Sequence, residues 1–546
     1  MSGFRVFQLE DSPLWAVGAD YFSPKLKKAG TLVPGIKWNG RLRAQVGYLD
    51  AIEQLVERLK EFGLRSDEVP PNERTWKHNL LVSYECAREY QKEGIDFLVA
   101  QSSTGALLAD DMGVGKSLQA VKAARALRRK TVIVCPAHVR GVWERPAGLG
   151  DKGGELAKWW PDATTFTPYG IKPEAIQDDA DVVVIHYDII HAWVDALLEW
   201  GRKGFTIAFD EAHVLLNPTS RRSKACKALA EAARGRMALT GTPPVDRVRD
   251  LFGIVETISP GRFGDFYPFG IRYCDGQKID VPGPDGTLKT VWSFDGKSNV
   301  KELRKRLEWF CLRRTKREVL KELPALQRQI IDVEVPARNR ISMNARLVGD
   351  RRRMRMALDS AADGKFKSVL ELIRGHLEAG QRVVVGTYRR AVCEKIAATL
   401  LEIAPTEFIH GGVALPRRSK IIDKLRKVEG PCCLVANIDC ASTGIDLTFA
   451  SIVVLAELVW EPRDLVQFEA RTHRFGQEES VLVQYIIARG TGDELILQAV
   501  INKLDNFLDL VETDTGDGLK ETLVGKKDEG LSRLAAALKK MSARAA

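Results

Sequence analysis

The chain has 546 residues, with 82 Lys and Arg against 72 Asp and Glu, giving a net charge of +10. That length supports several domains with substantial cores. The basic balance suits a phosphate-backbone partner, but it also suits an ordinary basic protein and decides nothing alone. Nine cysteines without a Cys-x-x-Cys pair argue for buried thiols in a reducing compartment and against a zinc site. The opening MSGFRVFQLEDSP has no charged-then-apolar leader, and no run reaches the roughly 18 apolar residues of a membrane span. A soluble, intracellular protein with no membrane partner is expected.

In chain order, residues 1–75 stand apart as a small accessory domain. They hold a basic-aromatic stretch, Val33–Arg43, then an amphipathic helix over Tyr48–Phe62 with Ile52, Leu55, Val56 and Leu59 on one face. Pro70-Pro71-Asn72 breaks the chain after it. Over 76–262, short apolar strands alternate with helices, the pattern of a doubly wound parallel sheet. The expected strands are Gly105–Leu108, Thr131–Cys135, Asp181–His186, Thr206–Phe209 and Arg236–Leu239.

The rhythm lapses over 263–340, which reads as a helical insert with a Gly/Pro/Asp-rich loop, Val281–Gly286, and a basic stretch, Val300–Lys321. It returns over 341–505, with strands expected at Arg382–Thr387, Glu407–His410, Pro431–Ala436 and Ser451–Leu455. Residues 506–546 form a mixed-charge tail, acidic over Glu512–Asp517 and closing on a basic helix. That helix reads as a solvated terminus in preference to a nucleic-acid contact.

Two motifs carry the chemistry. DDMGVGKS, Asp110–Ser117, follows a strand and opens a helix, the setting a phosphate-binding loop requires. Gly113 and Gly115 let backbone N–H groups approach phosphate oxygens, Lys116 holds the β- and γ-phosphates, and Ser117 offers a hydroxyl to Mg²⁺. Asp111, Met112 and Val114 complete the nucleotide-binding loop. Asp110 departs from G-x-x-x-x-G-K-[ST], standing where the first glycine belongs. FDEAH, Phe209–His213, ends a later strand, placing Asp210 and Glu211 at the ligand crevice of such a sheet. Asp210 is expected to hold Mg²⁺ through water, and Glu211 to orient the attacking water. In QFEARTHRFGQ, Gln467–Gln477, Arg471 and Arg474 share a helix face at i and i+3. They read as arginine fingers reaching a γ-phosphate, or as a solvated Arg-rich helix end.

The ordered set resembles the Swi/Snf-type branch of the superfamily-two helicase-like ATPases. LLADDMGVGKSLQA, VIVCPAHVRGVWERP, FDEAH, ALTGTPP, CASTGIDLTFAS and ARTHRFGQEESVLVQYIIARGTGDE fall in that family's order. The resemblance implies an α/β fold of two RecA-like parallel-sheet lobes, ATP and Mg²⁺ as cofactors, and Gly444 and Asp446 as further nucleotide-binding residues. Glu89–Gly94 is similar to the adenine-reading Gln motif, which implies ATP selection by Gln91.

A narrower likeness to the annealing-helicase, fork-remodelling subgroup rests on FGIRYCD, FDGKSNVKELRKRL, LRRTKREVLKELP and AELVWEP. Residues 20–65 resemble that subgroup's small HARP-like module, with Ala44-Gln45-Val46 where the module shows a second Trp. The implied partner is double-stranded or branched DNA, moved along without conventional strand unwinding. The alternative is a motor that displaces DNA-bound proteins such as a polymerase, with a protein partner held by residues 1–75. A monomer is expected, in the cytoplasm of a bacterial or phage-infected cell, or in the nucleus of a eukaryote.

Overall fold

The computed structural model describes residues 4–510, apart from 10–11, 19–23, 40–41, 43, 62–63, 65, 71–82, 145–152, 242–246, 283–286, 341–350 and 442–444. The chain divides into two compact units. The first is Met1–Asp111, Gly115–Lys278 and Trp292–Arg314; the second is Met112–Val114, Ile279–Val291 and Thr315–Ala546.

The first unit opens with β1 (Arg5–Gln8), β2 (Trp15–Gly18), β3 (Lys37–Asn39) and β4 (Ala44–Gly47), an antiparallel sheet in the order β1-β2-β4-β3. The helix Leu49–Glu61 packs its apolar stripe, Ile52, Leu55, Val56 and Leu59, against Val17, Leu26, Ala29 and Val33. Gln45 is the middle residue of Ala44-Gln45-Val46, the stretch that occupies the area of the resembled module's second Trp. Buried on β4, its side-chain amide donates to the carbonyls of Leu26 and Lys27 at 3.2 and 3.0 Å, tying down the helix Pro24–Gly30.

This module is joined to the rest of the first unit by buried charge. The carboxylate of Asp50, fully buried, takes Arg262 Nη1 at 2.8 Å and Arg306 Nε at 2.7 Å. Arg306 also donates to the carbonyls of Pro34 and Arg262. Trp309 Nε1 donates to Glu53 at 3.0 Å, and Gln54 accepts from Tyr273.

The main sheet of this unit uses β5 (Ala106–Leu108), β6 (Lys130–Cys135), β7 (Thr165–Phe166), β8 (Val182–His186), β9 (Phe205–Phe209) and β10 (Gly235–Leu239). A two-stranded ribbon comes next, β11 (Gln277–Pro282) and β12 (Leu288–Ser293), and then β13 (Cys311–Leu312), which returns to pair with β5. The order is β13-β5-β10-β9-β6-β8-β7, parallel throughout. The central strands are buried along nearly their whole length, as a parallel sheet covered on both faces demands. All five expected strands are present, shifted by a residue at one end.

The second unit carries β14 (Leu326–Val333), β15 (Val383–Thr387), β16 (Thr406–Ile409), β17 (Cys433–Asn437), β18 (Ile452–Leu455) and β19 (Val481–Ala488), parallel in the order β14-β19-β18-β15-β17-β16. Alternate residues of β15 serve two cores. Val384 joins Leu434, Val453 and Val483, while Val383 and Val385 join Val435, Val454 and Ile486, the two-residue period of a strand.

The stretch expected as a helical insert, 263–340, is corrected in content: β13 extends the first sheet and β14 edges the second. Helices do stand there, at Phe266–Tyr273, Val300–Leu307 and Lys316–Val319; the two strands were missed because neither has an apolar run. β14 is LQRQIIDV, with three consecutive polar residues, Gln327, Arg328 and Gln329, before Ile330 and Ile331, and its stability comes from β19, itself hidden inside the last motif. Among the described residues no helix is long and apolar enough to cross a membrane. The acidic and basic parts of the expected tail lie outside the described residues.

Candidate active site

The phosphate loop leaves β5 and enters the helix Lys116–Ala126. Gly113 and Gly115 have φ of +81° and +84°, and Gly115 is the residue that caps this helix. Only glycine takes that backbone cheaply. A Cβ on Gly115 would stand 2.4 Å from Gln91 Nε2, so the loop and the helix Glu89–Gln101 are in close contact at the residue expected to read adenine. Gln91 Oε1 accepts from the Arg88 N–H at 3.0 Å. Lys116 Nζ donates to the carbonyls of Asp110 and Asp111 at 2.9 and 3.0 Å. Burial holds its pKa below the ordinary lysine value, while Glu211, Asp110, Asp111 and Asp210 oppose that shift.

Asp110 is explained by the residue that binds it. Arg314, just beyond β13, grips its carboxylate with Nε at 3.0 Å and Nη2 at 2.5 Å. The neighbouring Arg313 donates to the Ala109 carbonyl at 2.7 Å and to Asp111 Oδ1 at 3.0 Å. The backbone continues the ladder, with the Asp111 N–H donating to the Arg314 carbonyl. The acid pair thus fixes the loop from behind and turns its carbonyls to Lys116. Sequence reading missed both arginines; the available signal was the uncompensated Asp110 at a glycine position.

Asp210 and Glu211 leave β9 in the same sheet. Trp143 Nε1 donates to Asp210 Oδ2 at 2.8 Å, the Glu211 N–H donates to Oδ1 at 3.0 Å, and Tyr187 donates its hydroxyl to the Asp210 carbonyl at 2.8 Å. Burial, then the adjacent Glu211, pushes the Asp210 carboxyl up to about 7. Glu211 sits at φ +50°, a left-handed conformation costing a side-chain-bearing residue about 1 kcal/mol or more. His213 Nδ1 lies 3.2 Å from its Oε2. Trp143 and Tyr187 are further site residues that the sequence did not single out.

Magnesium suits this donor set. It takes few protein ligands and fills its shell with water and phosphate oxygens. Here one hydroxyl, Ser117, opens the loop helix, and one carboxylate, Asp210, is crowded enough by Glu211 for a cation to relieve it. Among the described residues no group of three or more His, Cys, Asp or Glu forms a metal cage.

In the second unit, Arg471 lies on the helix Pro462–Thr472 and Arg474 just past its end. That helix is anchored by a buried trio: Arg328 Nη2 on β14 donates to Glu469 at 2.7 Å, and Tyr485 on β19 donates to the same carboxylate. Glu469 pulls the Arg328 pKa upward against burial. Gln477 Nε2 donates to the Ala450 carbonyl at 2.9 Å, and the Leu447 N–H to the Arg471 carbonyl. Asp446 accepts from the Thr448 N–H and pairs with Arg426 Nη2 at 2.8 Å. Gly444 lies outside the described residues.

The subgroup segments also meet. Ser298 and Asn299 donate to the Arg272 carbonyl, and Arg272 pairs with Glu302.

Two parallel-sheet lobes, the first with a glycine-flanked lysine loop and an Asp-Glu strand end, define a helicase-like ATPase. Residues 90–379 match the model of the SNF2-related domain, and residues 364–476 that of the helicase conserved C-terminal domain. The chain belongs to the SNF2-related family.

It is similar to the SWI/SNF-related matrix-associated actin-dependent regulator of chromatin subfamily A-like protein 1 of Xenopus tropicalis, 30% identical over 442 residues, covering 76% of this chain and 44% of the relative. It is also similar to the DNA annealing helicase and endonuclease ZRANB3 of Mus musculus, 28% identical over 472 residues, covering 81% and 42%. The chain thus spans under half the length of these two relatives. Among solved structures, the Sulfolobus solfataricus SWI2/SNF2 ATPase core in complex with dsDNA matches with a TM-score of 0.39 and 21% identity, over 80% of this chain and 99% of that one.

Proposed function

We propose that this chain is an ATP-driven motor on double-stranded DNA that remodels branched or forked DNA without conventional strand unwinding. The observation that carries the reading is the convergence, on one sheet of the first unit, of the Lys116 loop, the Asp210–Glu211 pair and the Gln91 helix. The fork preference follows the relatives, one of which is named a DNA annealing helicase.

In this reading Lys116 leaves the carbonyls of Asp110 and Asp111 to meet the phosphates of ATP, and Gln91 reads the adenine. Ser117 and Asp210 hold the magnesium ion, which neutralises charge on the phosphates when bound. Glu211 orients water for in-line attack. Arg471 and Arg474, brought from the second unit, neutralise charge that builds on the transferred phosphoryl group. If that closure depends on DNA, turnover does too. The contacts are to phosphate, so affinity falls steeply with salt and depends little on base sequence.

The test is steady-state ATPase at low salt with no DNA, single-stranded, duplex and forked DNA, with Lys116→Ala as the blank. Stimulation by duplex, and more by forks, supports the proposal. Equal stimulation by duplex and forks favours a general translocase that clears bound proteins. No stimulation by any DNA refutes the motor.

A further inference from the structure

Arg314 makes more contacts than an anchor for one loop needs. A guanidinium has five N–H donors, and here each meets an acceptor. Nε and Nη2 take the two oxygens of Asp110 at 3.0 and 2.5 Å. Nη2 also donates to Gln119 Oε1 at 2.9 Å. Nη1 donates to the Tyr90 carbonyl and to Glu93 Oε2, the latter at 3.1 Å.

These acceptors lie on three different pieces of the site. Asp110 is in the phosphate loop, Gln119 is on the helix after it, and Tyr90 and Glu93 flank Gln91 on the preceding helix. Asp110 and Gln119 are fully buried, and Arg314 nearly so. The packing leaves no slack. A Cβ on Gly94 would stand 1.7 Å from Gln119 Oε1 and 2.7 Å from Arg314 Nη2, so the helix Glu89–Gln101 approaches the guanidinium only because residue 94 is glycine. Arg314 is also the last residue of the first unit.

We propose that Arg314 is a positioning residue that locks the base-reading helix to the phosphate loop, fixing the distance between adenine recognition at Gln91 and phosphate recognition at Lys116. Arg314 touches no nucleotide; it sets the geometry in which the whole nucleotide is gripped at once. Loss of the lock lowers affinity for ATP and blurs the choice between ATP and GTP, and it leaves the hydrolytic step, which belongs to Asp210 and Glu211, unchanged. Lysine cannot substitute, because an ammonium has three donors and no planar fork. The inference rests on reading Asp110–Ser117 as the nucleotide loop.

The test uses the full chain with Arg314→Lys and Glu93→Gln. ATPase is measured against ATP and GTP with duplex DNA, and binding by titration of a fluorescent ATP analogue. Arg314→Lys is expected to raise the KM for ATP about tenfold or more, equivalent to roughly 1.4 kcal/mol, to weaken analogue binding in parallel, and to lower the ATP-over-GTP ratio of kcat/KM. Its kcat stays within about twofold of wild type.

Glu93→Gln removes only the outermost contact, on the exposed Glu93 side of the pair, and leaves Arg314 still paired with Asp110. It is expected to raise the KM for ATP about two- to threefold with an unchanged melting temperature. A folded Arg314→Lys with wild-type KM and wild-type ATP:GTP ratio overturns the proposal, as does a fall in kcat at constant KM. If Arg314→Lys does not fold, Glu93→Gln decides: wild-type KM and nucleotide ratio overturn the proposal. Lys116→Ala run in parallel separates the two layers. If it hydrolyses ATP like wild type, the reading of the loop itself fails; if it is inactive, the loop stands and the Arg314→Lys kinetics test the lock alone.

Discussion

Asp50→Ala tests whether the N-terminal module is built into the first unit. The carboxylate of Asp50 is fully buried and is shared by Arg262 and Arg306, whose side chains are 4% and 1% exposed. Removing one partner of a buried ion pair costs about 3–5 kcal/mol, because the other charge is left uncompensated. Here two cations lose one anion, which places the cost toward the upper end. Some compensation survives: Arg306 keeps the carbonyls of Pro34 and Arg262, and Arg262 keeps that of Thr104. The faces of Tyr48 and Phe310, each 4.2 Å from the Arg262 guanidinium carbon, also remain.

At about 2 °C per kcal/mol for a unit this large, the first unit should melt roughly 6–10 °C lower. Calorimetry of the full chain measures this. The second unit contains none of these residues, so its transition serves as the control. The triple substitution Asp50→Leu, Arg262→Met, Arg306→Met removes the charges together and should recover most of the loss. A first transition within about 2 °C of wild type in Asp50→Ala would refute the reasoning. Truncating the N-terminal module strips the counter-ion and its apolar cover together, so a truncation reports on the stability of the lobe as well as on any binding role of the module.

Two other predictions concern Asp210. Its carboxyl is raised from the ordinary 3.8 to about 7, so ionising it disfavours the metal-free fold, and that cost grows as pH rises from the usual carboxylate range through 7. The ionised form is the one that holds a cation. ATPase at limiting magnesium should therefore rise through about pH 7, and the midpoint should move to lower pH as magnesium increases; a midpoint independent of magnesium would contradict this. Trp143→Phe deletes the indole N–H that favours the ionised carboxylate. The magnesium concentration for half-maximal ATPase should rise about tenfold, the lower end of the effect of losing a partner to a metal ligand, with the pH midpoint shifted upward. An unchanged magnesium titration counts against that role for Trp143.

What the sequence determined by itself was local. Val182–His186 and Val383–Thr387 are rich in the β-branched residues that a covered parallel sheet requires, and they are read directly. The loop Asp110–Ser117 is legible because its conformation depends on glycine at two positions and its chemistry on the next two residues. Asp210 and Glu211 are legible as acids at the end of an apolar strand.

Tertiary structure alone decided the rest, because it depends on partners far away in the chain. β14 carries a polar run, Gln327-Arg328-Gln329, and is a strand only because β19 lies beside it. Gln45, in the stretch where an aromatic was expected, is accounted for only by two carbonyls on a neighbouring helix. Asp110 looked like a defect in the phosphate loop until Arg314, some two hundred residues on, brought its guanidinium to it. Short-range periodicity and backbone preference are written residue by residue, but a buried charge is intelligible only with its counter-charge, and only the folded chain brings the two together.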